Sequence, residues 1–434
     1  MSWVPARRRD ELRALATRSQ QVVALAAVVG VTTGFAVALF DRLVVDASFD
    51  HIVDLDPYVI AAFPALGLIV SLVIRRHLGR RASPSTADEY LRAFHDRSHA
   101  LSTRAFTARM LAAVATLGTG GPMGLEGPSL YAGAFIGSRL QRRLPRVFRD
   151  ADERVLLVAG AAAGVAAIFK APATGAVFAL EVPYHDDLAR RMLLPSLVAS
   201  ATGYLAFVTV NGTGSLFSIA GAPGFGYHDL LGAVAIGVIS GISARGFAWM
   251  VRLAKRVQQS RHSVVAAIVA GGVIAGLFAV GRIITGQSLL VGPGYDVVAW
   301  ASDPGRSVWV LMAILVLRSL ATSAAVAGGG VGGLFVPLVV AGALTGAAVG
   351  NVVDAEAMTL FIVIGVAAFL GAGYRVPLAS VMFVAETTGR PSFVVPGLLA
   401  AVAAELMMGH SSVTNYQAGA NPPSVASSRQ PDSG

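Results

Sequence analysis

Cysteine is absent from all 434 residues, which excludes disulfides, Cys-ligated metal and a cysteine nucleophile. Charge is scarce as well: 14% of residues are Asp, Glu, Lys or Arg, against 55% hydrophobic. A soluble enzyme must cover its surface with polar groups, and this composition is too apolar to do so. Carboxylates inside the apolar runs are nearly confined to Glu126, Glu181, Glu386 and Glu405, which argues against a cation or organic-solute carrier needing acids in several spans. The glycine run at 118–124 has no Lys-Ser or Lys-Thr after it and is no phosphate loop. The net charge of +9 comes without an aromatic-interleaved basic patch, so no nucleic-acid partner is expected.

Long apolar runs are what the sequence has in excess. Stretches at 22–39, 58–74, 155–179, 230–250, 264–280 and 308–326 approach the roughly 20 residues that span a bilayer. They predict an all-α polytopic membrane protein with the lipid bilayer as its main solvent. The first run follows Arg7, Arg8, Arg9, Arg13 and Arg18, and no small-residue cleavage site precedes Asp41, so it reads as a retained helix. Basic residues gather in joints at 75–81, 139–154 and 252–261. By the positive-inside rule these joints and the N-terminus are cytoplasmic, in a plasma membrane. The polar residues from 418 onward read as a disordered tail, with no soluble regulatory domain expected to follow the membrane part.

The chain also repeats itself. Gly124-Leu125-Glu126-Gly127-Pro128 and the residues after it match Gly333-Leu334-Phe335-Val336-Pro337 in the pattern GLxxPxxxAGAxxG. At nearly the same separation, Gly160, Lys170, Pro172, Phe178 and Glu181 match Gly365, Arg375, Pro377, Phe383 and Glu386. A lone GxxxG is ordinary helix packing, but two collinear matches that keep order and spacing indicate two homologous halves. The organisation read from them is an N-terminal segment at 1–19, repeats at 20–225 and 226–412, and a tail at 413–434. Interrupted apolar segments at matching positions point to a transport site where repeats meet.

The chemistry of that site favours an anion. Pro128 and Pro337 suit the first turn of a helix, where the missing N–H would be unpaired anyway. Two helices would then begin inside the membrane and aim free N–H groups and positive dipole ends at a cavity. Glu126 stands at one of these starts, where its carboxylate would compete with a permeating anion for the same donors, which makes it the candidate gate. The bland alternative is a first-turn acid stabilising its own helix by about 0.3–1 kcal/mol.

These segments resemble the CLC family of chloride channels and transporters. Gly124-Leu125-Glu126-Gly127-Pro128 is similar to the family's GREGP, which puts Glu126 at the gating glutamate, and residues 333–337 match its GxFxP completely. Residues 159–172, running on to Glu181, resemble a third family stretch. The resemblance implies a homodimer with a separate pore in each subunit, built as an inverted repeat of tilted and broken helices. It also implies that backbone N–H groups of Gly127, Leu334, Phe335 and Val336 hold chloride or another small anion.

Four departures stand out. The family's GSGIP falls on residues 84–89, so only Ser85 carries over as the central hydroxyl, while Thr86-Ala-Asp-Glu89 also reads as a capping box that starts a helix. The family's C-terminal tyrosine falls on Thr414, with Tyr416 two residues on; either hydroxyl is a donor, and Tyr416 is equally an interfacial anchor. Val182 occupies the place where proton-coupled members carry a second glutamate. An apolar residue relays no proton, which favours a passive channel over an exchanger; an exchanger would need another route, for which His185, Asp186 and Asp187 are nearby. Glu181 reads as a structural acid because Glu386 repeats it. Leu125 replaces an arginine beside the gate and removes positive charge there.

No cofactor is expected. His95 and His99 have i, i+4 spacing but no further ligand set, and read as a solvated helix face rather than a metal site. An intramembrane hydrolase would need a histidine convergent with Ser129 or Ser85, and none lies nearby inside a span.

Overall fold

The computed structural model describes residues 6–144, 154–214, 226–260, 262–354 and 357–419. Residues 1–5 of the N-terminal segment, 145–153 of the second basic joint, Arg261 of the third and 420–434 of the tail lie outside the described residues. Among the described residues, the helices of seven or more residues are α1 (Ala6–Val44), α2 (Phe63–His77), α3 (Thr86–His95), α4 (Thr103–Gly118), α5 (Glu126–Arg143), α6 (Val155–Phe169), α7 (Pro172–Glu181) and α8 (Leu193–Asn211). They continue as α9 (Tyr227–Gln258), α10 (Ser263–Thr285), α11 (Tyr295–Ala301), α12 (Val308–Ala327), α13 (Phe335–Val353), α14 (Met358–Tyr374), α15 (Pro377–Thr388) and α16 (Val394–Met408). Among the described residues, 8 helices are long and apolar enough to cross a membrane.

The apolar run at 155–179 is not one span. It breaks at Lys170, which sits in the left-handed region at φ 53, ahead of Pro172 at the start of α7. Proline cannot donate into the preceding turn and forces the residue before it out of helical geometry. The second half breaks identically, with Arg375 at φ 58 ahead of Pro377. The third basic joint is also less of a loop than expected, since Arg252, Lys255 and Arg256 lie within α9.

Glycine sets how closely the short helices pack. A Cβ on Gly160 would lie 2.0 Å from the Gly133 carbonyl oxygen, and one on Gly365 would lie 2.2 Å from that of Gly342. The α5–α6 and α13–α14 crossings are therefore backbone against backbone, as small residues permit in membranes. Outside this core, Phe35, Leu39, Leu205, Leu398 and Leu406 stand exposed on α1, α8 and α16. Such surfaces suit lipid or an apolar partner.

The two halves are tied by exchanged helix caps. Glu181, at the end of α7, accepts from the N–H groups of Leu378 (3.1 Å) and Ala379 (2.9 Å) at the start of α15. Glu386, on α15, accepts from the N–H groups of Ala173 (2.8 Å) and Thr174 (2.6 Å) at the start of α7. Each carboxylate thus satisfies donors that α-helical geometry leaves free, on a positive dipole end. Glu181 is a structural acid by its contacts.

Candidate functional site

The site is built where α5 and α13 begin. Gly124 and Gly333, the residues just ahead of these helices, pair as a two-bond antiparallel bridge: Gly333 N–H donates to the Gly124 carbonyl at 2.7 Å, and Gly124 N–H donates to the Gly333 carbonyl at 3.0 Å. The repeat therefore meets itself at its own motif, with the two helix starts side by side. Pro128 and Pro337 fall in the first turns and are buried, as the position allows.

Glu126 lies across this bridge with 3% of its surface exposed. Its Oε1 accepts from the Phe335 N–H at 2.6 Å, so the carboxylate caps the start of the other half's helix. Its Oε2 is buried without a hydrogen-bond partner among the described residues. The two glycines make the seat: a Cβ on Gly124 would fall 1.9 Å from Oε2, and one on Gly333 would fall 2.0 Å from Oε1. Phe335 is held by aromatic neighbours, with ring centroids of Phe169, Phe383 and Phe178 at 4.3, 5.0 and 5.4 Å. The backbone donors at this helix N-terminus thus hold an acidic group inside an apolar protein.

Two openings lie near the glutamate. One, a narrow cavity, is lined by Ser85, Thr86, Met123, Lys255, Gly333, Leu334, Tyr374 and Thr414. The other, a cleft of about 380 Å³, is lined by Asp41, Arg42, Asp46, Leu125, Lys170, Asn211 and Tyr295. Leu334 borders the first and Leu125 the second.

The expected residues separate into those brought together and those not. Gly127, Leu334, Phe335 and Val336 gather at the helix starts, and Ser85 and Thr414 face the narrow cavity with Leu334. Tyr416 is 46% exposed and outside that lining. The capping box at 86–89 does not form: Ser85 precedes α3 without a side-chain cap. Its acids serve elsewhere, Asp88 with Lys255 at 2.7 Å and Glu89 with Arg109 at 2.9 Å. A polar residue with a buried ion-pair partner gains more there than from a cap. Val182 is buried, and its carbonyl accepts from Gln417. His95 turns to the Pro183 carbonyl and His99 to Glu89, so the two do not share a ligand position.

Two residues were missed. Tyr374 lines the narrow cavity, its ring 6.4 Å from that of Phe335; the repeat register pairs it with Phe169, which was the available signal. The Thr86 hydroxyl is buried without a partner among the described residues, and a Cβ on Gly127 would lie 2.7 Å from it.

Comparisons with known proteins bear on the family and the fold. The family model described as voltage gated chloride channel matches residues 66–409. An H(+)/Cl(-) exchange transporter ClcA from Citrobacter koseri is 28% identical over 427 residues, covering 92% of this chain and 89% of that protein. Among solved structures, a CLC-type fluoride/proton antiporter superposes with a TM-score of 0.80 at 21% identity, covering 92% of this chain and 98% of that one. A slow cyanobacterial Cl-/H+ antiporter gives 0.77 at 19% identity, covering 89% and 94%. These two likenesses establish the fold.

Proposed function

We propose, from the premise that the chain belongs to the voltage gated chloride channel family, that this multi-pass membrane protein carries chloride between the two openings near Glu126. The observation that carries the reading is the 2.6 Å hydrogen bond from the Phe335 N–H to the Glu126 carboxylate. It seats an anion of the protein where a permeating anion would be held, and the two compete for one set of donors. Ionised Glu126 closes the pathway; protonation or displacement opens it. The anion is held by partial charges of Gly127, Leu334, Phe335 and Val336 N–H groups, with hydroxyls of Ser85 and Thr414 at the narrow cavity. Weak, multiple contacts allow an ion to leave as well as bind. The reading includes repeats at 20–225 and 226–412, a homodimer supported by the apolar faces of α8 and α16, and a plasma-membrane setting with the N-terminus cytoplasmic.

Transport is passive in this account, because Val182 supplies no proton-carrying group. A second reading, proton-coupled exchange, is favoured by the relative that is an H(+)/Cl(-) exchange transporter and by a polar line from Asp186 through Arg375 to Glu405, with ion pairs of 2.8 and 2.9 Å. The reversal potential across a planar bilayer decides between them. A passive pathway reverses at the chloride equilibrium potential whatever the pH gradient; a coupled one shifts with that gradient.

A further inference from the structure

A cleft of about 310 Å³ lies away from the transport site, lined by Arg97, His99, Ser138, Arg142 and Arg154 together with apolar side chains such as Leu157. Small-ligand pockets fall in the range of roughly 300–1,000 Å³. Its three arginines come from three parts of the fold. Arg97 is in the loop between α3 and α4, Arg142 is in the last turn of α5, and Arg154 is the residue before α6. Glu126 begins the same α5 that Arg142 closes, so an 18-residue helix separates this cleft from the gate.

No carboxylate lines the cleft among the described residues. The acids close to it in the chain and in contacts are engaged: Glu89 is shared by His99 (3.1 Å) and Arg109 (2.9 Å), and Asp96 accepts from the N–H and the hydroxyl of Ser98 at 2.8 and 2.6 Å. Arg154 is anchored, donating to the Phe94 carbonyl at 2.6 Å and standing 5.3 Å over the Phe94 ring. Arg97 and Arg142 are exposed and form no ion pair among the described residues. Lys255, which lines the narrow cavity, by contrast pairs with Asp88 at 2.7 Å. Gathering like charges costs free energy that a bound anion offsets. Three guanidinium groups offer more donors than the two oxygens of a carboxylate can take, whereas a phosphate presents three or more strong acceptors in the geometry arginine forks match. Basic pockets between membrane helices are suited to phosphate headgroups.

We propose that this cleft binds a phosphate group, carried on an anionic lipid headgroup or free in solution, with Arg154 fixed at its wall and Arg97 and Arg142 closing on the phosphate oxygens. The site is independent of the transport reading, because binding there is measured without any flux.

The test follows thermal unfolding of the purified chain in detergent by tryptophan fluorescence. Dioleoyl phosphatidic acid is raised against a constant total of phosphatidylcholine, and in a second series inorganic phosphate is raised, with ionic strength held constant by sodium chloride. A ligand of the folded state raises the midpoint. A rise with the lipid alone places the phosphate on a headgroup, a rise with inorganic phosphate as well places it in solution, and either supports the site. Arg97→Gln with Arg142→Gln removes two exposed, unpaired charges and leaves the fold in place. At about fivefold per arginine, the half-maximal additive concentration should climb roughly 25-fold in this double variant. No midpoint shift with either additive, or shifts equal in the wild type and the double variant, would overturn the proposal.

Discussion

Replacing Glu126 by Gln keeps the size of the side chain and removes its charge. The amide oxygen can still accept from the Phe335 N–H, now 2.6 Å from Oε1, and still fits between Gly124 and Gly333. What is lost is the charge-assisted part of the bond. Hydrogen bonds to charged groups contribute about 1.5–3 kcal/mol, against about 1 kcal/mol for neutral pairs, so seating weakens by roughly 0.5–2 kcal/mol. At about 1.4 kcal/mol per factor of ten, the gate should leave its seat about 2–30 times more often. Chloride efflux from proteoliposomes at pH 7.5 should rise by about that factor if the seated state limits the rate. The wild type should also speed up as pH falls, because protonation removes the same charge, whereas Glu126→Gln should be nearly flat with pH. A folded variant with the wild-type rate and the wild-type pH response would refute the gate.

Gly124→Ala tests the same seat from the other side: the three atoms nearest its Cβ all belong to Glu126, the closest at 1.9 Å. It should displace the carboxylate and copy the flattened pH response while keeping the charge, as efflux against pH would report. Glu386→Ala strips two N–H bonds and one hydroxyl bond from the start of α7; a loss of about 1–3 kcal/mol is expected in detergent unfolding, and a loss below about 0.5 kcal/mol would deny the cap any weight. Gly365→Ala forces a Cβ against the Gly342 carbonyl at 2.2 Å, so the α13–α14 crossing must open. Size-exclusion chromatography should show aggregation or loss of the folded species, and an unchanged profile would contradict the close crossing.

Much of this site was legible because a duplicated motif carries its own register. The match between residues 124–128 and 333–337 placed both helix starts and put the prolines in first turns, as α5 and α13 have them. The pair Glu181 and Glu386 marked structural acids before their exchanged caps were visible. Periodicity and motif spacing do not say which chain segment lies opposite a side chain. Helix α5 does begin at Glu126, but only tertiary packing brings its carboxylate onto the start of the other half's helix. Tyr374 escaped for a related reason: its hydroxyl is the one feature its repeat partner Phe169 lacks. The 86–89 capping box failed because Lys255 and Arg109, far away in sequence, compete for its acids. Nor does an apolar run announce a break when lysine occupies the left-handed position, as at Lys170, where glycine would have been a signal.

Chloride efflux from liposomes containing the purified chain, recorded together with internal pH while potassium and valinomycin clamp the voltage, tests the central claim most directly. The account predicts chloride efflux well above that of protein-free liposomes, without uphill proton movement. Folded protein that releases no chloride would contradict it.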